Sequence, residues 1–249
     1  FNLALHVGSN APAGSVGYHL GYAMANVDSV DIIIPGVGGH GAYPHTAIDP
    51  IVLSSQIVLA LQTIVSRKIN PLEPAVVTVG SIHGGLKHNI IPDEVKLQLT
   101  LRSYSDEVRD QTIQSIKRIV RGQAIAAGLP DDKMPKVILK DEYTPALYND
   151  PDFSSKVLGF IKDEIGSENV YEVPAVMGGE DFGRFGKQDP KIPSLLFWLG
   201  GTSKEDWKKF KRGDINLPSN HSPFFAPVPE PTLTTGVRAM TSSAIGLLQ

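Results

Sequence analysis

No cysteine occurs among the 249 residues, which excludes disulfides and thiolate metal sites and leaves the redox compartment open. No run of 18 apolar residues is present, so no stretch reads as a membrane-spanning helix and a membrane is not an expected partner. Charge of one sign is also scarce. Lys and Arg number 23 against 26 Asp and Glu, for a net charge of −3, which offers no surface for a polyanion, and nucleic acid is not an expected partner. An initiator methionine and a signal peptide are missing as well. Phe1 to Val7 starts inside an apolar strand pattern, so the expectation is a fragment or a processed product with no legible targeting information. What is present is a 41% hydrophobic composition, enough for a core in one large domain or two ordinary ones.

The most informative stretch is Gly36 to Pro50, GVGGHGAYPHTAIDP, directly after the β-type run Val30-Asp31-Ile32-Ile33-Ile34. Four glycines crowd around His40. Glycine permits close backbone approach and φ > 0, at an entropic cost that an ordinary surface loop need not carry. Three readings stay open on residue type alone. Gly36, Gly38 and Gly41 fit G-x-G-x-x-G after a strand, but a dinucleotide site needs a helix opening at the third glycine, and here Pro44 and Pro50 intervene. Alternatively, His40 donates to a carbonyl or oxyanion on a loop that a substrate can approach. The third reading is a glycine-rich turn with a polar histidine at its surface.

From Val30 to Tyr143 the pattern reads β-α-β-β-α-β. The first helix, Asp49 to Val65, has Asp49 as N-cap and Pro50 in its first turn, and sets Ile51, Val52, Ser55, Leu59, Gln62 and Val65 at helical spacings. Ala75 to Gly80 is β-branched, and Val95, Leu97, Leu99 and Leu101 alternate with polar residues as in a half-buried strand. Ser105 opens a second helix to Ala127, and Met134 to Leu139 closes the unit. Such a unit is a four-stranded antiparallel sheet with two helices on one face, an open-faced α+β sandwich. Arg102 ends the alternating strand, thirteen residues after Asn89. An arginine there is commonly a solvated charge, yet its guanidinium matches a carboxylate and an asparagine amide adds a donor.

After Tyr143 the pattern changes. Pro145, Pro151 and an Asn-Asp turn lead into a helix from Asp152 to Ile165. Met177-Gly178-Gly179-Glu180-Asp181-Phe182 sets adjacent carboxylates after two glycines, which is compatible with a helix start. Ile192 to Gly201 is a buried strand ending in Gly200 and Gly201, and Thr232 to Leu248 is an apolar terminal helix. By residue type, His6 at a strand end reads as a hydrogen-bonded structural histidine, whereas His221 in Asn-His-Ser-Pro stays open between a structural and a ligand role.

GGHGAYPHTAIDP resembles the lid, or dimerisation, domain signature of the M20 metallopeptidase and amidohydrolase family, in particular its hippurate hydrolases and indole-acetyl-amino-acid hydrolases. LALHV before it, and GGEDF and NHSPFF after it, stand in matching order over essentially the whole chain. The resemblance implies an α/β and α+β fold: a zinc-peptidase-like α/β catalytic domain, from residues 1–28 and 144–249, with the βαββαβ sandwich of 29–143 inserted as a lid. It implies His6 and His221 as metal ligands, and Asn89 and Arg102 as holders of the substrate's carboxylate or amide group. Gly200 and Gly201 would contact substrate, and Glu180 and Asp181 would line the cleft without acting as base. His40 would enter the site of a partner subunit and stabilise a tetrahedral oxyanion, in a homodimer formed through the lid.

The family's upstream His-x-Cys/Asp-Gly-His-Asp motif and its Glu-Glu pair do not occur here. The implied reaction is hydrolysis of the amide bond of N-acyl amino acids or short peptides. It would use two divalent metals, Zn or else Co, Mn or Ni, to lower the pKa of a water that a glutamate deprotonates. A zinc site of two histidines is incomplete, so this chain alone is expected to be inactive. A reading from another class is a non-catalytic dimerisation or interaction module.

Overall fold

A computed structural model describes residues 1–249. Its strands are β1 (Asn2–Pro12), β2 (Val16–Tyr18), β3 (Gly21–Met24), β4 (Asp28–Pro35), β5 (Gly39–His40), β6 (Ala75–Gly84), β7 (Ile90–Ile91), β8 (Glu94–Ser103), β9 (Lys136–Leu139), β10 (Leu147–Asn149), β11 (Val170–Glu172) and β12 (Ser194–Thr202). Its helices are α1 (Pro50–Arg67), α2 (Asp106–Ala126), α3 (Pro151–Ile165), α4 (Gly183–Gly186), α5 (Lys204–Arg212) and α6 (Pro229–Leu248). Two compact units result: a central one of 25–146 with 177–180, and a flanking one of 1–24, 147–176 and 181–249.

The central unit is the β-α-β-β-α-β sandwich. Its four main strands are antiparallel neighbours in the order β6-β8-β4-β9. Alternation along β8 buries Val95, Leu97, Leu99 and Leu101, which meet Val30, Ile32 and Ile34 of β4 in the same core. Each fully buried aliphatic side chain of this kind contributes about 1.5–3 kcal/mol. Helix α1 starts where Asp49 caps the Ile51 and Val52 amides and Pro50 takes the first turn. Ser105 caps α2 by accepting from the Val108 amide. The residues that the sequence sets at helical spacings in α1 are not the ones that face the core. Leu53, Ile57, Leu61 and Ile64 are buried, whereas Val52 and Leu59 are 54% and 72% exposed. Both faces of this helix are apolar, so periodicity could not select the inner one. It is the one helix with the length and mean hydropathy of a membrane span, yet those four residues bury it against the sheet.

The unit begins earlier and ends later than residues 29–143. Asn26 and Val27 pair with Ser103 and Thr144 through the backbone, and the Ala25 amide donates to Gly178, which brings Met177–Glu180 into the same unit.

In the flanking unit, β1 and β12 run parallel from Asn2/Ser194 to Gly8/Gly200, and the sheet order is β1-β12-β2-β11. Helices α3 and α6 pack together, and Val157, Leu158, Ile161 and Ala239 join Leu195, Phe197 and Leu199 of β12 in its core. Asn149, fully buried, donates to the carbonyls of His19 and Leu196 and accepts from the Leu196 amide, which satisfies its amide group inside the core.

Candidate active site

The glycines around His40 are there for space. None of Gly36, Gly38, Gly39 and Gly41 has positive φ. A Cβ on Gly36 would stand 2.5 Å from Pro50 Cδ and 2.6 Å from the Ile48 oxygen. One on Gly38 would meet Asp93 Oδ1 at 2.8 Å and the Ile91 oxygen at 2.9 Å, and one on Gly41 would lie 3.1 Å from the Asn89 carbonyl. The turn is thus pressed from both sides, between the start of α1 and the 89–93 segment. Gly39 and His40 pair with Ile91 and Ile90, and the Gly41 amide donates to the Asn89 oxygen at 2.8 Å. No helix opens at Gly41, which removes the geometry a dinucleotide fingerprint needs.

His40 is exposed at the rim of this turn. Its Nδ1 accepts the Ala42 N–H at 3.0 Å, and the Tyr43 ring lies 5.4 Å from its own, centroid to centroid. An Nδ1 that accepts is bare, so the neutral ring carries its proton on Nε2 and presents a donor there.

Asn89 lies beside His40, exposed, through the Gly41 contact. Arg102 does not join them. It lies opposite Val76 at the far end of β8, and the eight steps back to Glu94 span ~26 Å at the rise of an antiparallel strand. Its neighbour is the glycine segment: a Cβ on Gly179 would stand 2.2 Å from Val27 Cγ2 and 3.1 Å from Arg102 Nη1. Within one chain, therefore, Asn89 and Arg102 do not hold one substrate group together.

In the flanking unit His6 lies in β1, with Nδ1 2.8 Å from the Val7 oxygen. A carbonyl only accepts, so Nδ1 carries the proton and the lone pair of the neutral ring is on Nε2, the arrangement a metal ligand needs. Asn220 ties the loop of His221 to the same strand, accepting from the Ser9 amide and donating to the Val7 oxygen, each at 3.0 Å. His6 also borders a cavity of about 580 Å³ lined with Leu5, Leu199, Pro227 and Leu233. The donor chemistry thus fits a borderline divalent metal. The set is partial, because no group of three or more His, Asp or Glu side chains is arranged to hold an ion.

Gly200 and Gly201 are buried in β12. A Cβ on Gly200 would lie 2.0 Å from the Pro12 oxygen, its carbonyl accepts from Thr232 Oγ1 at 3.1 Å, and the Gly201 carbonyl accepts from the Val228 amide at 2.9 Å. Close chain packing accounts for both glycines. Glu180 belongs to the central unit and Asp181 to the flanking one, and no side chain caps the single-turn α4 that follows.

Two polar groups carry no sequence signature. Asp31, buried on the open face of the central sheet, contacts Lys96 at 2.8 Å and Lys140 at 2.9 Å. The hydrogen bonds from these lysines hold its carboxyl down at about 2, against desolvation. Asp28, 2% exposed, takes a two-pronged contact from Arg109 at 2.6 and 2.8 Å, which raises the pKa of Arg109, and Tyr143 stacks on that guanidinium at 4.2 Å. Sequence reading missed both, since each is assembled across strands.

Residues 22–127 match the family model described as the peptidase dimerisation domain. The chain is 38% identical over 198 residues to N-acetyldiaminopimelate deacetylase of Leuconostoc mesenteroides, covering 79% of this chain and 49% of that protein. It is 34% identical over 241 residues to thermostable carboxypeptidase 2 of Saccharolobus solfataricus, covering 97% of this chain and 56% of that one. The crystal structure of a dinuclear metal-binding M20 peptidase from Bacillus subtilis superposes with a TM-score of 0.67 at 23% identity, over 99% of this chain and 56% of that chain, a likeness of fold. The chain spans about half the length of the curated relatives it matches. The dimerisation-domain match, the sequence identities and the shared fold place the chain in the M20 family of metallopeptidases and amidohydrolases.

Proposed function

We propose that this chain is part of a homodimeric, metal-dependent hydrolase that cleaves the amide bond of N-acyl amino acids or short peptides. Residues 1–24, 147–176 and 181–249 serve in its catalytic domain, and 25–146 with 177–180 form its lid. The observation that carries the proposal is the Nδ1 contact of His40 with the Ala42 amide, which leaves Nε2–H as a donor on an exposed turn. Aimed at a scissile carbonyl, such a donor stabilises the oxygen as charge builds on it. The separation of His40 and Asn89 from Arg102 favours a composite site, with the first two from one copy and Arg102 from the other. The substrate carboxylate is gripped by Arg102, whose fork suits it, and Asn89 donates to the amide end, so the reacting bond is oriented before attack.

His6 and His221 are the residues of this chain that would hold a divalent metal, zinc or else cobalt, manganese or nickel, among which imidazole donors alone do not choose. Such an ion supplies Lewis acidity and lowers the pKa of a water. Two histidines leave the site short of ligands, so the chain alone is inactive. A non-catalytic dimerisation module is the second reading, favoured by the lack of any three-ligand cluster. The test is release of free amino acid from hippurate and N-acetyl amino acids by the complete zinc-loaded hydrolase of which this chain is proposed to be part, with its dimer state measured in parallel. Hydrolysis that collapses in His40→Ala supports the proposal. Dimers that hydrolyse neither the acyl amino acids nor short peptides would leave the module reading standing.

A further inference from the structure

Arg102 is half-buried beside a knot of buried polar groups that its assigned role does not use. Asn26 and Ser103 are 3% and 2% exposed. The Asn26 amide donates to the Ser103 carbonyl at 2.8 Å, and Asn26 Oδ1 in turn accepts from both the Ser103 amide and, at 2.9 Å, its hydroxyl. One asparagine thus closes both backbone groups of the residue that follows Arg102, extending the β4–β8 ladder beyond its last strand pair, Asp28 with Leu101. Asn26 Nδ2 donates to Asp28 Oδ2 at 2.8 Å, and Arg109 clamps the same carboxylate. The asparagine is therefore held in one orientation. Its two chain neighbours grip the other side of the arginine: the Ala25 amide donates to the Gly178 oxygen at 2.9 Å, and Val27 abuts Gly179, which in turn lies against the Arg102 guanidinium.

We infer that Asn26 is a positioning residue for Arg102, its side chain holding the Arg102–Ser103 backbone in the place from which the guanidinium meets a substrate carboxylate. The inference rests on the assignment of Arg102 to that carboxylate. A buried asparagine with a purely structural role would be satisfied by any partners in the core. This one spends its oxygen on Ser103 and its NH₂ on the Asp28–Arg109 pair, so the stiffness of that pair reaches the arginine. Misplacement by about 1 Å costs a bound group much of its effect.

The test follows the Arg102 Nε–H resonance, assigned by its loss in Arg102→Lys, during titration of the ¹⁵N-labelled protein with hippurate and with hippuramide, which lacks the carboxylate. The wild type should respond saturably to hippurate only. Asn26→Ala should raise the apparent Kd at least ~10-fold, and expose the Ser103 amide to exchange while Leu99 stays protected and the His40 resonances do not move. An Asn26→Ala titration matching the wild type, or equal disturbance at His40, overturns the inference and leaves the Arg102 assignment intact. A wild type blind to hippurate overturns that assignment and the inference with it. Should Asn26→Ala fail to fold, Asp28→Asn keeps the shape and removes the charge behind Asn26. About a threefold weakening is then expected, and none would overturn the inference.

Discussion

His6 stands in β1 of the flanking unit with Nδ1 against the Val7 carbonyl, whereas His40 ends β5 of the central unit with Nδ1 against the Ala42 amide. The two rings are chemically identical and their neighbours are ordinary backbone. One faces an acceptor and the other a donor, so their neutral tautomers are opposite. His6 keeps a lone pair on Nε2, fit for a metal, and His40 keeps a proton there, fit for an oxyanion. In each ring the main-chain contact at Nδ1, and not the residue type, sets the neutral tautomer that the proposed role needs.

The comparison can be broken by exchanging the expected losses. In the proposed complete metal-loaded hydrolase, His40→Ala should lower kcat by ~10²–10³, as loss of one oxyanion donor does, with metal content unchanged. His6→Ala should instead weaken zinc binding at least ~10-fold, seen by titration against a chromophoric chelator. Zinc affinity that falls with His40 and holds without His6 would reverse the assignment. Two-bond ¹H–¹⁵N correlation above pH 7 should meanwhile find His6 protonated on Nδ1 and His40 on Nε2.

A smaller effect sharpens the His40 side. Gly41→Ala pushes a Cβ against the Asn89 backbone at 3.1–3.2 Å, where no flexible side chain can yield. A loss of about 1–3 kcal/mol in unfolding free energy is expected from denaturant curves, together with shifted Asn89 resonances. An unperturbed Asn89 would mean that the turn is looser than its packing implies.

The smallest effect separates the central unit's charge network from its His40 turn. Asp31 is held at about 2 against 3.8 for a free carboxyl. A depressed pKa contributes stability above 3.8 that is lost as pH falls from 3.8 toward 2. Asp31→Asn should therefore cost on the order of 1 kcal/mol at pH 7, after screening at the partly exposed lysines, and nothing near pH 2. Thermal unfolding at the two pH values checks it, and a deficit that persists at pH 2 would assign the loss to packing.

Local chemistry made much of this fold legible. Alternation at Val95, Leu97, Leu99 and Leu101 marks a half-buried strand because side chains repeat every two residues, and Asp49 and Ser105 mark helix starts because they satisfy amides that a helix leaves open. The inner face of α1 was not legible, since Val52 and Leu59 are as apolar as Leu53 and Ile57 and only the sheet decides which are covered. The glycines of the His40 turn were legible as a demand for space or for φ > 0, and their contacts select space.

By itself, then, the sequence determined the β-α-β-β-α-β order, the capped helices and the motif residues His6, His40, Asn89, Arg102 and His221. Tertiary structure decided how these are grouped. Asn89 joins His40 because Gly41 can approach its backbone, and Arg102 is carried ~26 Å away because a strand of that length lies between. It also decided the tautomers of His6 and His40 and the Asn26–Ser103 and Asp28–Arg109 contacts. Each of these depends on which donor meets which acceptor after distant segments have packed, and pairings over such separations leave no periodic trace in the chain.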